Sequence, residues 1–205
     1  MHILILGASG RVGIHILTYA LQEGHHVTVL VRSPEKINPH PNLRIIQGNV
    51  LHPEDLKRAV QGAEAVISAL NTDGTTTLSE SIPLIIDAMA AEGIQRIVTI
   101  GTAGILQSRT EPGKLRYQSS ESRRKSTRAA EEHERVYKQL QQSVLEWTIV
   151  CPTYLPDGAR LGNYRVERDV LPDGGTEIST SDTAEFTYQQ LANRHFIRTR
   201  VGISY

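Results

Sequence analysis

The chain has 205 residues, enough to bury a real core as one large domain or two small ones. Lysine plus arginine and aspartate plus glutamate both total 22, so the formal charge is zero and gives no reason to expect nucleic acid or an anionic membrane as partner. No run approaches the roughly 18 apolar residues of a membrane span, "MHILILGASG" lacks the basic start and cleavage site of a leader, and the single cysteine, Cys151, excludes an intrachain disulfide, so a cytoplasmic protein is expected.

Runs at 2–6, 26–31, 43–47, 65–70, 96–100 and 147–151 are nearly continuously apolar, as strands buried on both faces must be. Helical periodicity lies between them. It aligns Val12, Ile16, Leu17, Ala20 and Leu21 within 11–23, Leu56, Ala59 and Val60 within 53–61, and Leu84, Ile85, Ala88 and Met89 within 79–92. A charged helix is expected over 121–142, with Val136 and Leu140 inward. The segments 101–120 and 152–176 read as irregular, and both follow strand ends. "EISTSDTAEFTYQQL" predicts a last helix capped by Ser181 or Asp182, followed by a strand at 200–204. Such alternation demands right-handed crossovers. The expected fold is α/β, a single Rossmann-type domain over 1–205 with a doubly wound, mainly parallel sheet of six or seven strands. A small C-terminal addition, within 151–205, completes the substrate side.

Gly7, Gly10 and Gly13 form G-x-x-G-x-x-G between the first strand and the first helix. Gly7 serves the tight turn, Gly10 a close backbone approach to a diphosphate, and Gly13 the packing of helix on strand. The helix start offers unpaired N–H groups and partial positive charge. This context points to a dinucleotide held along Gly7, Ala8, Ser9, Gly10, Arg11, Val12 and Gly13. The second strand ends in "VRSPEK", with Arg32, Ser33 and Lys36 and no carboxylate before Glu35. A guanidinium pairs with a ribose 2′-phosphate that a carboxylate would repel, so NADP(H) is expected over NAD(H). In "QGNV", Asn49 either meets the adenine amino group, with Val50 against the ring, or makes a local Asx turn. Ala69, Leu70 and Asn71 are expected to line the trough through their backbone.

"LGASGRVG", "VRSPEK", "QGNV", "AVISAL", "IVTIGTAG" and the charged helix leading to "LEWTIVCP" together resemble the atypical short-chain dehydrogenase/reductase family, in particular its NAD(P)H-binding, biliverdin-IXβ/flavin reductase-like branch. Ordinary members of that superfamily use Tyr-x-x-x-Lys, yet none of the 7 tyrosines here is followed by lysine at that offset. The atypical branch lacks the pair as well. The resemblance implies Thr102 after the fifth strand and His133 in the following helix as nicotinamide-site residues. It also implies Pro152, Thr153 and Tyr154 along the cofactor, with Cys151 where the branch often has arginine. Cys151 is read as a buried apolar residue, Tyr137 as a packing residue, and Thr102 and His133 have bland alternatives as a turn cap and a solvated side chain. Arg109, Lys114, Arg116, Arg123 and Arg124 fall where the branch carries its substrate loop, and either attract an anionic acceptor or form a solvated run. The 8 histidines show no metal-ligand spacing, so no metal is expected.

The reading is an NADPH-dependent reductase passing hydride to a flat conjugated acceptor: a flavin, quinone or tetrapyrrole. Conjugation spreads the incoming charge, so little acid catalysis is needed. The alternative is an NmrA-like redox sensor that binds dinucleotide without turnover and acts through a protein partner. A small-molecule acceptor is the expected ligand, and a monomer or weak homodimer the expected state.

Overall fold

The computed structural model describes residues 1–72, 74–122 and 124–205. Its strands are β1 (His2–Leu6), β2 (His26–Val31), β3 (Leu43–Gln47), β4 (Ala65–Ser68), β5 (Arg96–Ile100), β6 (Glu146–Pro152), β7 (Arg165–Arg168) and β8 (Thr199–Ser204). They form one sheet in the order β3-β2-β1-β4-β5-β6-β8-β7. All neighbours are parallel except β7 and β8.

Alternate residues of the central strands explain why their sequences are apolar throughout. Leu4, Leu6, Val66, Ile97 and Ile149 face the core beneath α2 (Pro53–Val60), α3 (Thr77–Ala91) and α4 (Arg128–Gln142). Ile3, Ile5, Val27, Val29 and Ile67 face the other side, where α1 (Gly13–Gln22) packs against α5 (Thr180–Gln189). A strand covered on both faces has no solvent-facing register to fill with polar residues.

The sheet has 8 strands, one more than the upper expectation. The additional strand is β7, "RVER", inside the segment read as irregular. It is an exposed antiparallel edge, so burial imposes no apolar pattern on it. Helix α4 begins at Arg128, seven residues later than its charge pattern suggested, because the chain before it is drawn into a loop around Glu121. The cap of α5 is Ser179, whose Oγ accepts from Asp182 N–H at 3.0 Å; Ser181 and Asp182 are both inside the helix.

Strand order reverses at β1, since β2 and β3 lie on one side and β4 follows on the other. The loops leaving β1 and β4 therefore diverge and open a crevice at the carboxyl edge of the sheet. Two glycines set its shape. Gly7 has φ +77°, and a Cβ there would lie 2.5 Å from the Ala69 carbonyl oxygen. At Gly13 a Cβ would lie 2.1 Å from the Gly7 oxygen, against rigid backbone. Gly13→Ala must therefore push α1 off β1. Urea unfolding of this variant is expected to lose at least about 1–3 kcal/mol.

Candidate functional site

The crevice begins at the glycine turn. Gly10 N–H donates to Gly7 oxygen at 3.0 Å, and Ile14 N–H donates to Gly10 oxygen at 3.0 Å, so the turn runs directly into α1. No side chain caps that helix start, and its first turn holds no acidic residue. Main-chain amides and the positive end of the helix dipole thus meet the crevice without a competing carboxylate. With no Cβ at 7 or 13, the turn packs directly on the backbone of Ala69 and Gly7, and its amides are left facing a crevice that suits a diphosphate.

This cleft encloses about 250 Å³. Gly7, Ser9 and Gly10 line one wall, Ala69, Leu70 and Asn71 another, and Arg32, Asn49 and Val50 the far end. The remaining residues of the loop lie elsewhere. Ala8 and Val12 are buried in the core beneath it. Arg11 turns outward and donates to Leu155 oxygen and Asp157 Oδ1, both at 3.1 Å. Ser33 and Lys36 do not line the cleft. Asn49 makes the Asx turn, its Oδ1 accepting from Leu51 N–H at 3.1 Å. Its own N–H donates to Asp55 at 2.9 Å; that bond, with Arg58, lowers the Asp55 carboxyl pKa.

Gly48, which the motif reading passed over, also lines the cleft, and a Cβ there would meet Asp55 and Leu30 at 2.7–2.8 Å. A glycine at a strand end just before a turn was the available signal.

Asn71 joins this cleft to a second cavity of about 630 Å³. Thr102, His133, Thr153 and Tyr154 line it, while Pro152 is buried at the end of β6. Thr102 both faces the cavity and caps the short turn Ala103–Ile105, accepting from Gly104 N–H at 3.4 Å. Tyr154 lines the cavity while remaining 59% exposed. His133 is not solvated. It is 9% exposed despite its charged helix, and burial, only partly opposed by Glu132, pushes its pKa down to about 4. At neutral pH it is an uncharged imidazole, able to orient a ligand but not to act as a standing cation. Cys151 is fully buried, and desolvation pushes its thiol up to about 12, so it is no thiolate nucleophile. Tyr137 packs edge-on to Trp147 at 5.8 Å and lies outside both cavities.

The basic loop is ordered by an acid that the charge count concealed. Burial would raise the Glu121 pKa, but hydrogen bonds from Thr110, Ser108, Arg116 and Arg109 outweigh it and hold the carboxyl at about 2. Lys114 pairs with Glu111 at 2.7 Å, Arg116 with Glu121 at 2.9 Å, and Arg109 with Glu167. Arg124 lines the larger cavity; Arg123 lies outside the described residues. Tyr117 reaches the same cavity from this loop and donates to Glu134. Tyr117 and Glu121 carried no local pattern marking them as lining residues, because only the folded loop brings them there.

Among the described residues no group of three or more potential metal ligands converges, and no helix is long and apolar enough to cross a membrane.

An ordinary histidine at 6.5 takes up a proton before the buried His133 does, so between 6.5 and about 4 the unfolded chain binds more protons. The contribution of this ring is complete above 6.5 and declines by about 3 kcal/mol as the pH falls to about 4. The unfolding free energy of wild type relative to His133→Gln is therefore expected to decrease over that interval. The His133 ring resonance, assigned by its loss in the variant, should keep its neutral position down to about pH 5.

The model of a family described as NAD(P)H-binding matches residues 7–194. The Bacillus subtilis protein YwnB is 29% identical over 194 residues, which cover 90% of this chain and 89% of YwnB. A 3-beta-hydroxysteroid dehydrogenase of Mycolicibacterium neoaurum is 28% identical over 102 residues, 48% of this chain but only 28% of that longer protein. Among solved structures, that of a candidate NADH-flavin reductase from Streptococcus pneumoniae has a TM-score of 0.84 at 26% identity and covers 100% of this chain and 99% of its own.

Proposed function

The chain belongs to the NAD(P)H-binding family, and from that premise we propose that it is an NADPH-dependent reductase acting on a flat conjugated acceptor such as a flavin, quinone or tetrapyrrole. The observation that carries this reading is the continuity of the glycine-walled cleft, through Asn71, with a cavity that places Thr102, His133 and Tyr154 together. A dinucleotide held there would supply the hydride, being itself oxidised as the acceptor is reduced.

The chain's own groups do the positioning. Amides of residues 7–13 bind the diphosphate, and Arg32 at the end of β2 pairs with the ribose 2′-phosphate. The Thr102 hydroxyl and the neutral His133 ring orient the nicotinamide amide or an acceptor carbonyl, and the Tyr154 ring covers the acceptor plane. A delocalised acceptor takes its proton from water, which is consistent with a site built around an uncharged imidazole. The sizeable polar cavity beside the cleft favours this reading over a purely regulatory dinucleotide sensor.

Steady-state NADPH oxidation with FMN, riboflavin and menadione tests the activity. Turnover with at least one is expected, whereas tight NADPH binding without turnover, together with a partner in pull-downs, would establish the sensor instead. Arg32→Ala is expected to weaken NADPH binding by about tenfold or more, the loss of a charge-assisted pair, and to leave NADH binding unchanged. Unchanged NADPH affinity would overturn the cofactor preference.

A further inference from the structure

His133 also borders a second, much smaller space. Between the sheet and helices α3 and α4 lies an internal pocket with about 10 Å³ for a water centre, about the least that holds one molecule. Most of its wall is apolar, from Leu78, Ile82, Ile85 and Val136, but Ser68, Ser81, Thr99 and His133 also line it. These four come from β4, α3, β5 and α4. Ser68 and Thr99 are direct cross-strand partners on the same face, so their side chains stand side by side.

All four are at least nine-tenths buried, at 5%, 1%, 5% and 9% exposure respectively. Among the described residues Ser81 makes only a local side-chain bond, its hydroxyl donating to Leu78 oxygen at 3.3 Å. Among the described residues no side-chain hydrogen bond forms at Ser68, Thr99 or His133. Buried hydroxyls and imidazoles are costly to bury without partners, and groups that converge on a water-sized space find their partner in a water.

We propose that this pocket binds one internal water, through which Ser68, Ser81 and Thr99 hold the His133 ring in a single tautomer with its other edge toward the acceptor cavity. Ser68, Ser81 and Thr99 are thus positioning residues. They touch neither acceptor nor cofactor and act by fixing which ring nitrogen carries the hydrogen. The depressed pKa of His133 fits this arrangement, because a tautomer is defined only for the uncharged ring. The catalytic consequence rests on the reductase reading above; the water site and the tautomer do not.

Ring-nitrogen shifts of ¹⁵N-histidine-labelled, cofactor-free protein test the proposal. In wild type, one protonated and one bare nitrogen are expected for His133. Ser68→Ala combined with Thr99→Val should move both shifts toward an exchanging average, Ser81→Ala should do so more weakly, and Thr99→Ser should restore the wild-type pattern. The double variant should also lose about tenfold in kcat with little change in KM for NADPH.

A tautomer average in wild type, or an unaltered pattern in both the double variant and Ser81→Ala, overturns the proposal. If the double variant does not fold, Ser81→Ala and Thr99→Val alone decide it by the same spectra. A single tautomer that loosens in the variants, in a protein that turns over no acceptor, upholds the water site and removes only the reductase reading.

Discussion

The contact between the Gly7 carbonyl and the α-carbon of Gly13 governs the geometry of this protein's crevice. The two residues are so close that a methyl group on residue 13 would sit 2.1 Å from that oxygen. Helix α1 is thereby seated on the carboxyl end of β1, and its free amides open into the gap between β1 and β4. The Ala69 carbonyl presses on Gly7 from the β4 side, so both walls of the cleft are referred to the same turn. Close packing of backbone on backbone has no flexible side chain to absorb an error, which is why the arrangement requires glycine.

The other half of the site depends on polar ties that span long stretches of sequence. Arg200 of β8 is 3% exposed, lies 4.2 Å over the Tyr137 ring and donates to Asp169 and to the Ile105 carbonyl. It thus joins the C-terminal strands to the turn that begins at Thr102. Glu121 does comparable work across the basic loop, gathering donors from Ser108, Arg109, Thr110 and Arg116. A buried charge left alone would be strongly destabilising, so each ion holds its partners in place and fixes the local path of the chain. The C-terminal strands are accordingly part of the cavity's support.

Much of this was legible beforehand, for a definite reason. Strands covered on both faces must be apolar throughout, and helices must repeat their apolar residues every three or four positions. Six strands and the first three helices therefore announced themselves locally. β7 did not, because an exposed edge of four residues is under no such demand. The cap of α5 was displaced by two or three residues since serines and an aspartate are adjacent there, and only the geometry shows which oxygen meets an orphan amide. For His133 the sequence left a site residue and a solvated side chain both open, because its helix is mostly charged and the α3 and β5 residues that share its pocket lie dozens of positions away.

Sequence alone determined the layered α/β architecture and the glycine turn of this chain, because both follow from short-range patterning and from the absence of a side chain. Tertiary structure alone decided the charge state of His133, the pairing of the basic loop around Glu121 and the polar pocket between β4, β5, α3 and α4. Those properties depend on how far water is excluded and which charges lie within a few ångströms. Both are set by residues that come together only when the sheet and its helices close around them.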